Sequence, residues 1–110
     1  MIRKNIIAVD FDGTLCEHKF PKIGEIKEVN QNVIDYIKAR KELHDDIIIL
    51  WTCREGSYLD DAVKWCKKNE IPIDYVNDNC DDVKNSYGQS RKILADIYID
   101  DKAINVSNFK

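Results

Sequence analysis

With 110 residues, the chain has room for one domain built on one core. Apolar residues at 44% and charged residues at 34% form a globular mixture that excludes a disordered or fibrous chain. A net charge of -3 argues against a protein whose main task is gripping nucleic acid, and no apolar run approaches the roughly 20 residues that span a bilayer.

Met1-Ile2-Arg3-Lys4 opens with positive charge, but the apolar stretch after it stops at Asp10, too short for a signal peptide. A cytoplasmic protein is expected. Cys16, Cys53, Cys66 and Cys80 contain no CxxC pair, so free thiols are expected rather than a disulfide scaffold or a zinc site.

The first element is a buried strand over residues 4–10, whose apolar run Ile6-Ile7-Ala8-Val9 leads into Asp10. A loop or hairpin from Cys16 to Glu28 follows. Asn30 is expected to cap a helix reaching His44, with Val33, Ile37 and Leu43 on its buried side. Ile47 to Trp51 is the second buried strand. Ser57 is expected to cap the next helix, where Leu59, Ala62, Val63 and Cys66 recur at helical spacing. Pro72 bars its continuation and introduces a short strand, Ile73 to Val76. A polar stretch from Asn77 to Gly88 then leads to a helical turn at Ser90 to Leu94. The fourth strand, Asp96 to Asp100, ends in acids as the first does. The tail from Ala103 adds a small strand or frays. Strands alternating with helices predict an α/β domain with a doubly wound, three-layer parallel sheet.

Paired carboxylates at the carboxyl ends of buried strands are costly without a cation, since each ion loses its hydration. They also sit where open α/β sheets bind ligands. Asp10-Phe11-Asp12-Gly13-Thr14-Leu15 resembles the first motif of the haloacid dehalogenase superfamily, whose members are mostly magnesium-dependent phosphatases. Three further places fit the resemblance in order: Thr52 after the second strand, Lys92 upstream of the fourth, and Asp100-Asp101 at its end. The resemblance implies a Rossmann-like core, a Mg2+ cofactor and an aspartyl-phosphate mechanism on phosphate monoesters. Asp10 would be nucleophile and metal ligand. Asp12 would be general acid/base and would lend its carbonyl to the metal, and Asp100 would be the third ligand. Thr52 would bind a phosphoryl oxygen and Lys92 would balance charge, with Lys84 as a rival for that part. Asp101 would orient Lys92 or metal-bound water. Aspartate at position 12 favours a phosphatase over the related pumps and dehalogenases.

Arg54 is read either as a clamp on a second anionic group of the substrate or as a surface ion pair. Thr14 is expected to steady the turn after Asp12, His18 to be an exposed loop residue, and His44 to favour a helix dipole. Asn77 to Gly88 fails as a calcium loop, because Asp82 stands where glycine is needed and Gly88 where glutamate is. Neither interval between motifs can hold a cap domain, so a capless phosphatase with an open site is expected. The expected substrate is a small phosphorylated metabolite, with a homo-oligomer or the Cys16 to Glu28 loop completing the pocket. Two alternatives remain: a phosphatase for nucleic-acid ends, or a non-catalytic phosphate-binding module of the same fold.

Overall fold

The structure is a computed structural model, and it describes residues 4–109; the basic start at Met1 to Arg3 lies outside them. Four strands, β1 (Ile6–Val9), β4 (Ile47–Leu50), β5 (Tyr75–Val76) and β6 (Ile97–Ile99), form one parallel sheet in the order β5-β4-β1-β6. Between β1 and β4 the chain makes an antiparallel hairpin, β2 (His18–Lys19) and β3 (Lys22–Ile23), then α1 (Glu28–His44). Helix α2 (Gly56–Lys68) joins β4 to β5, and α3 (Asp81–Tyr87) joins β5 to β6. The sheet flanked by helices is of the Rossmann-like α/β kind.

Alternation along the strands divides the core. Ile7, Val9, Ile48 and Leu50 pack with Ile34 and Ile37 of α1 and with Ala62 and Cys66 of α2. Ile6, Ala8 and Ile49 pack with Val83 of α3 and with Ile93. The chain steps from β1 to β4 to β5 in one direction, then returns to place β6 on the other side of β1. Strand order therefore reverses between β1 and β6, and ligands bind beyond the carboxyl ends of strands at such a reversal.

Several boundaries differ from the sequence reading. Lys27, not Asn30, is the N-cap of α1. Asn30 lies buried inside the first turn, where its Oδ1 accepts the Lys27 N–H (2.9 Å) and its Nδ2 donates to the Thr14 carbonyl (2.9 Å). Leu43 was expected inside but is 74% exposed. It stands about two and a half turns beyond buried Ile34, and so on the opposite face. Glu55, not Ser57, caps α2, and the third strand shortens to two residues.

The polar stretch from Asn77 to Gly88 contains α3, and the turn expected at Ser90 to Leu94 is not helical. Asn79 explains the exchange. It is buried, its Oδ1 accepts the Leu94 N–H (2.8 Å), and its Nδ2 donates to the Lys92 carbonyl (3.1 Å). Backbone groups that would feed a helical ladder are satisfied by a side chain instead. Asp81 and Asp82 suit the first turn of α3. The tail carries a 3-10 turn, Val106–Asn108, in place of a strand. All four cysteines are free, with Cys16, Cys66 and Cys80 buried and Cys53 exposed. No described helix is long and apolar enough to cross a membrane.

Candidate active site

The register of the sheet aligns the ends of three strands. Val9 pairs with Leu50 on one side and Ile99 on the other, so Asp10, Trp51 and Asp100 follow at one level. The Asp10 N–H donates to the Ile99 carbonyl (2.9 Å) and the Trp51 N–H to the Val9 carbonyl (2.9 Å), which continues the ladder to the site. A cavity of about 490 Å³ opens here. Asp10, Asp12, Thr52, Arg54, Asp100 and Asp101 line it, together with His18, Phe20, Cys53 and Lys102.

Carboxylate oxygens of Asp10, Asp100 and Asp101 lie within 4.8 Å of one another. Burial pushes the Asp10 carboxyl up to about 6, with the charges of Asp100 and Asp101 adding to it; the Phe11 N–H and the Thr14 hydroxyl oppose the rise. Three clustered carboxylates, one of them resisting ionisation, form a hard oxygen donor set suited to a divalent cation such as Mg2+. Asp101 is as much a part of this set as Asp100, where the sequence reading placed it behind the metal.

Gly13 makes that closeness possible. Its φ of +88° is left-handed, and a Cβ built there would lie 2.8 Å from Asp101 Cγ. Thr14 does more than steady the turn. Its N–H closes onto the Phe11 carbonyl (3.1 Å), and its hydroxyl donates to Asp10 Oδ2 (3.3 Å).

Asp12 stands apart from the carboxylate triad, in the grip of Arg54. Arg54 Nε donates to Asp12 Oδ2 and Nη2 to Oδ1, each at 2.8 Å. Its remaining N–H groups donate to the carbonyls of Pro21 (3.3 Å), Tyr58 (3.3 Å) and Lys22 (3.1 Å). The guanidinium also lies 5.0 Å from the Phe11 ring centre and 5.1 Å from that of Phe20. Of the two readings of Arg54, the ion pair is present, but buried with Asp12 rather than at the surface. Its side chain is 1% exposed, so it is no surface pair. All five donors of the guanidinium are committed within the chain, so none is left to clamp a substrate anion. The bond to Asp12, outweighing the cost of burial, raises the Arg54 pKa further.

Thr52 is held from two sides. Its N–H donates to Asn77 Oδ1 (2.8 Å), and its hydroxyl accepts the Arg54 N–H (3.1 Å). Neither lysine sought from the sequence lines the cavity. Lys92 is exposed on the segment pinned by Asn79, and Lys84 pairs with Asp78 at 2.5 Å. The lysine that does line it is Lys102, whose Nζ lies 3.3 Å from Asp101 Oδ2. Its position directly after Asp100-Asp101 was the signal available in sequence. His18 is exposed as expected, yet it borders the cavity, whereas His44 ends α1.

No protein-family model matches the chain, and no curated protein matches it. Among solved structures, one of a conserved protein from Bacteroides thetaiotaomicron is 36% identical, with a TM-score of 0.77. The match covers 96% of this chain and 80% of that one. The chain belongs to the family of that protein.

Proposed function

We propose that the protein is a capless, magnesium-dependent phosphohydrolase of the haloacid dehalogenase superfamily, with a doubly wound three-layer core. It acts on phosphate monoesters through an aspartyl-phosphate on Asp10. The observation that carries the reading is the convergence of Asp10, Asp100 and Asp101 within 4.8 Å where strand order reverses, in a cavity shared with Asp12 and Thr52. Mg2+ held by Asp10, Asp100 and Asp101 would offset the repulsion between a carboxylate nucleophile and a phosphate dianion.

The residues divide the work. An oxygen of Asp10 attacks phosphorus, and the bond from phosphorus to the ester oxygen breaks. The Thr52 hydroxyl, acting as an acceptor towards Arg54, keeps its own proton for a phosphoryl oxygen. Asp12 is the general acid/base: one of its oxygens must leave Arg54 to carry the proton that it gives to the departing oxygen, and it then takes one from the water that attacks the phosphoenzyme. That attack breaks the bond between phosphorus and Asp10 and releases phosphate. Lys102, which lines the cavity, would offset negative charge there in place of Lys92 or Lys84. The buried thiols suit a reducing compartment, which favours the cytoplasm.

Phosphate release from an aryl phosphate tests the reading. The wild-type protein should require Mg2+, and Asp10→Asn should be inactive. Full turnover in excess chelator, or by Asp10→Asn, removes the mechanism.

A further inference from the structure

The hairpin gives the cavity an aromatic wall. Phe20 sits at its tip, between β2 and β3, and lines the cavity while 48% exposed. One face of its ring covers the Arg54 guanidinium, and Tyr58 meets it at 5.3 Å with the ring planes 66° apart. Arg54 also binds the carbonyls of Pro21 and Lys22, so the tip is anchored to the same buried cation that holds Asp12. The ring is therefore fixed before any ligand arrives, and ordering it on binding costs little.

The same bonds occupy two backbone carbonyls of the wall, and His18 of β2 is the polar side chain that the hairpin adds to the cavity beside the Phe20 ring. The Pro21 and Lys22 carbonyls are used by Arg54, and Arg54 has no donor left. A polyhydroxylated group lying on the Phe20 ring itself would lose water there without recovering its hydrogen bonds. A flat ring would lay its apolar face on Phe20, with any polar edge atoms left free to face water or His18, and would gain a stacking partner. The cavity, at about 490 Å³, falls within the roughly 300–1,000 Å³ of small-molecule sites.

We propose that the open face of Phe20 is a stacking platform, and that the site takes small phosphate monoesters bearing a planar aromatic or heteroaromatic ring. The proposal rests on the phosphohydrolase reading and supplies its substrate class. The phosphate lies at the carboxylate end of the cavity, and the ring lies against the hairpin.

The test compares kcat/KM for phenyl phosphate, a nucleoside 5′-monophosphate and glycerol phosphate, all with Mg2+. Wild type, Phe20→Leu and Phe20→Trp are measured side by side. Wild type should favour ring-bearing esters, and the phenyl and nucleoside arms show which kind of ring the platform takes. Stacking on an aromatic side chain is worth roughly 5- to 150-fold in binding by alanine substitution, so Phe20→Leu, which keeps an apolar contact but no ring, should cut the ratio of ring-bearing to aliphatic rates by about 3- to 10-fold. Phe20→Trp should keep the ratio. Equal wild-type rates on all three esters, or a ratio indifferent to Phe20→Leu, would overturn the platform while leaving the phosphohydrolase intact. Should folded wild type hydrolyse none of them, the phosphohydrolase reading fails. Calorimetric binding of the nucleoside monophosphate then decides the platform: binding weakened by Phe20→Leu supports it, and no binding or unaltered binding ends it.

Discussion

Arg54 and Asp12, 42 positions apart, meet in two parallel N–H···O bonds of 2.8 Å, and the same guanidinium ties down the hairpin and the start of α2. A buried pair of this kind adds little over an apolar replacement, but removing one partner strands the other charge. Arg54→Ala should therefore destabilise the protein by about 3–5 kcal/mol, read by urea denaturation. Arg54→Lys keeps the charge but loses the planar fork, so it should not restore full stability. Both should lower kcat more than they raise KM, since Asp12 loses its orientation while Thr52 and the carboxylate triad remain. A variant as stable as wild type would show that the contact is incidental.

Gly13 offers a sharper probe of the triad. Gly13→Ala needs a strained φ and pushes a methyl group against the Asp101 carboxylate. The backbone strain alone is worth about 1–3 kcal/mol. Moving Asp101 should also weaken Mg2+ binding, roughly 10- to 100-fold by analogy with disturbed metal shells. Calorimetric titration with Mg2+ checks this, and unaltered affinity would remove Asp101 from the donor set.

The strand ends were legible because their signal is local. Ile6 to Val9 running into Asp10, and Ile97 to Ile99 running into Asp100, need no tertiary knowledge to be read as buried strands ending in charge. Arg54 was illegible for the opposite reason, since its five bonds go to four residues on three separate stretches of chain. The α3 exchange was equally non-local: the carbonyl and N–H that leave Ser90 to Leu94 non-helical find their partner in Asn79, 13 and 15 positions away. Leu43 is apolar and close to the helix end, but the turn of α1 carries it to the face opposite Ile34, and it is exposed.

Asp10 gives a pH dependence of definite sign. Its carboxyl stands at about 6 in the protein against an ordinary 3.8, so between those values the folded state holds more protons than the unfolded state. In chelator, stability should fall as pH rises through that window and level off above it, by roughly 1–2 kcal/mol once solvent screening at this half-buried site is allowed for. Asp10→Asn should flatten the slope. Mg2+ needs the ionised group, so the rise in Tm that it produces should be larger at about pH 7.5 than at about pH 5. Urea melts in chelator across this range decide it: stability that climbs from about pH 4 to 6.5 would contradict the environment described for Asp10.

The last prediction separates three lysines. Lys102 lines the cavity and pairs with Asp101, Lys84 is engaged with Asp78, and Lys92 is exposed outside the lining. A cation near the phosphate should matter only where its field reaches the reacting charges, and salt screens it beyond about 10 Å. Lys102→Ala should therefore lower kcat/KM on a phosphate monoester, by roughly 10-fold given how exposed the side chain is. Lys84→Ala and Lys92→Ala should change it less than twofold, an energy below about 0.5 kcal/mol. Raising the ionic strength should erode the activity of wild type more than that of Lys102→Ala, because the variant has lost the exposed charge being screened. If Lys92→Ala instead abolished activity and Lys102→Ala did nothing, the lysine upstream of β6 would have to swing into the cavity on substrate binding, and the charge balance assigned to Lys102 would be wrong.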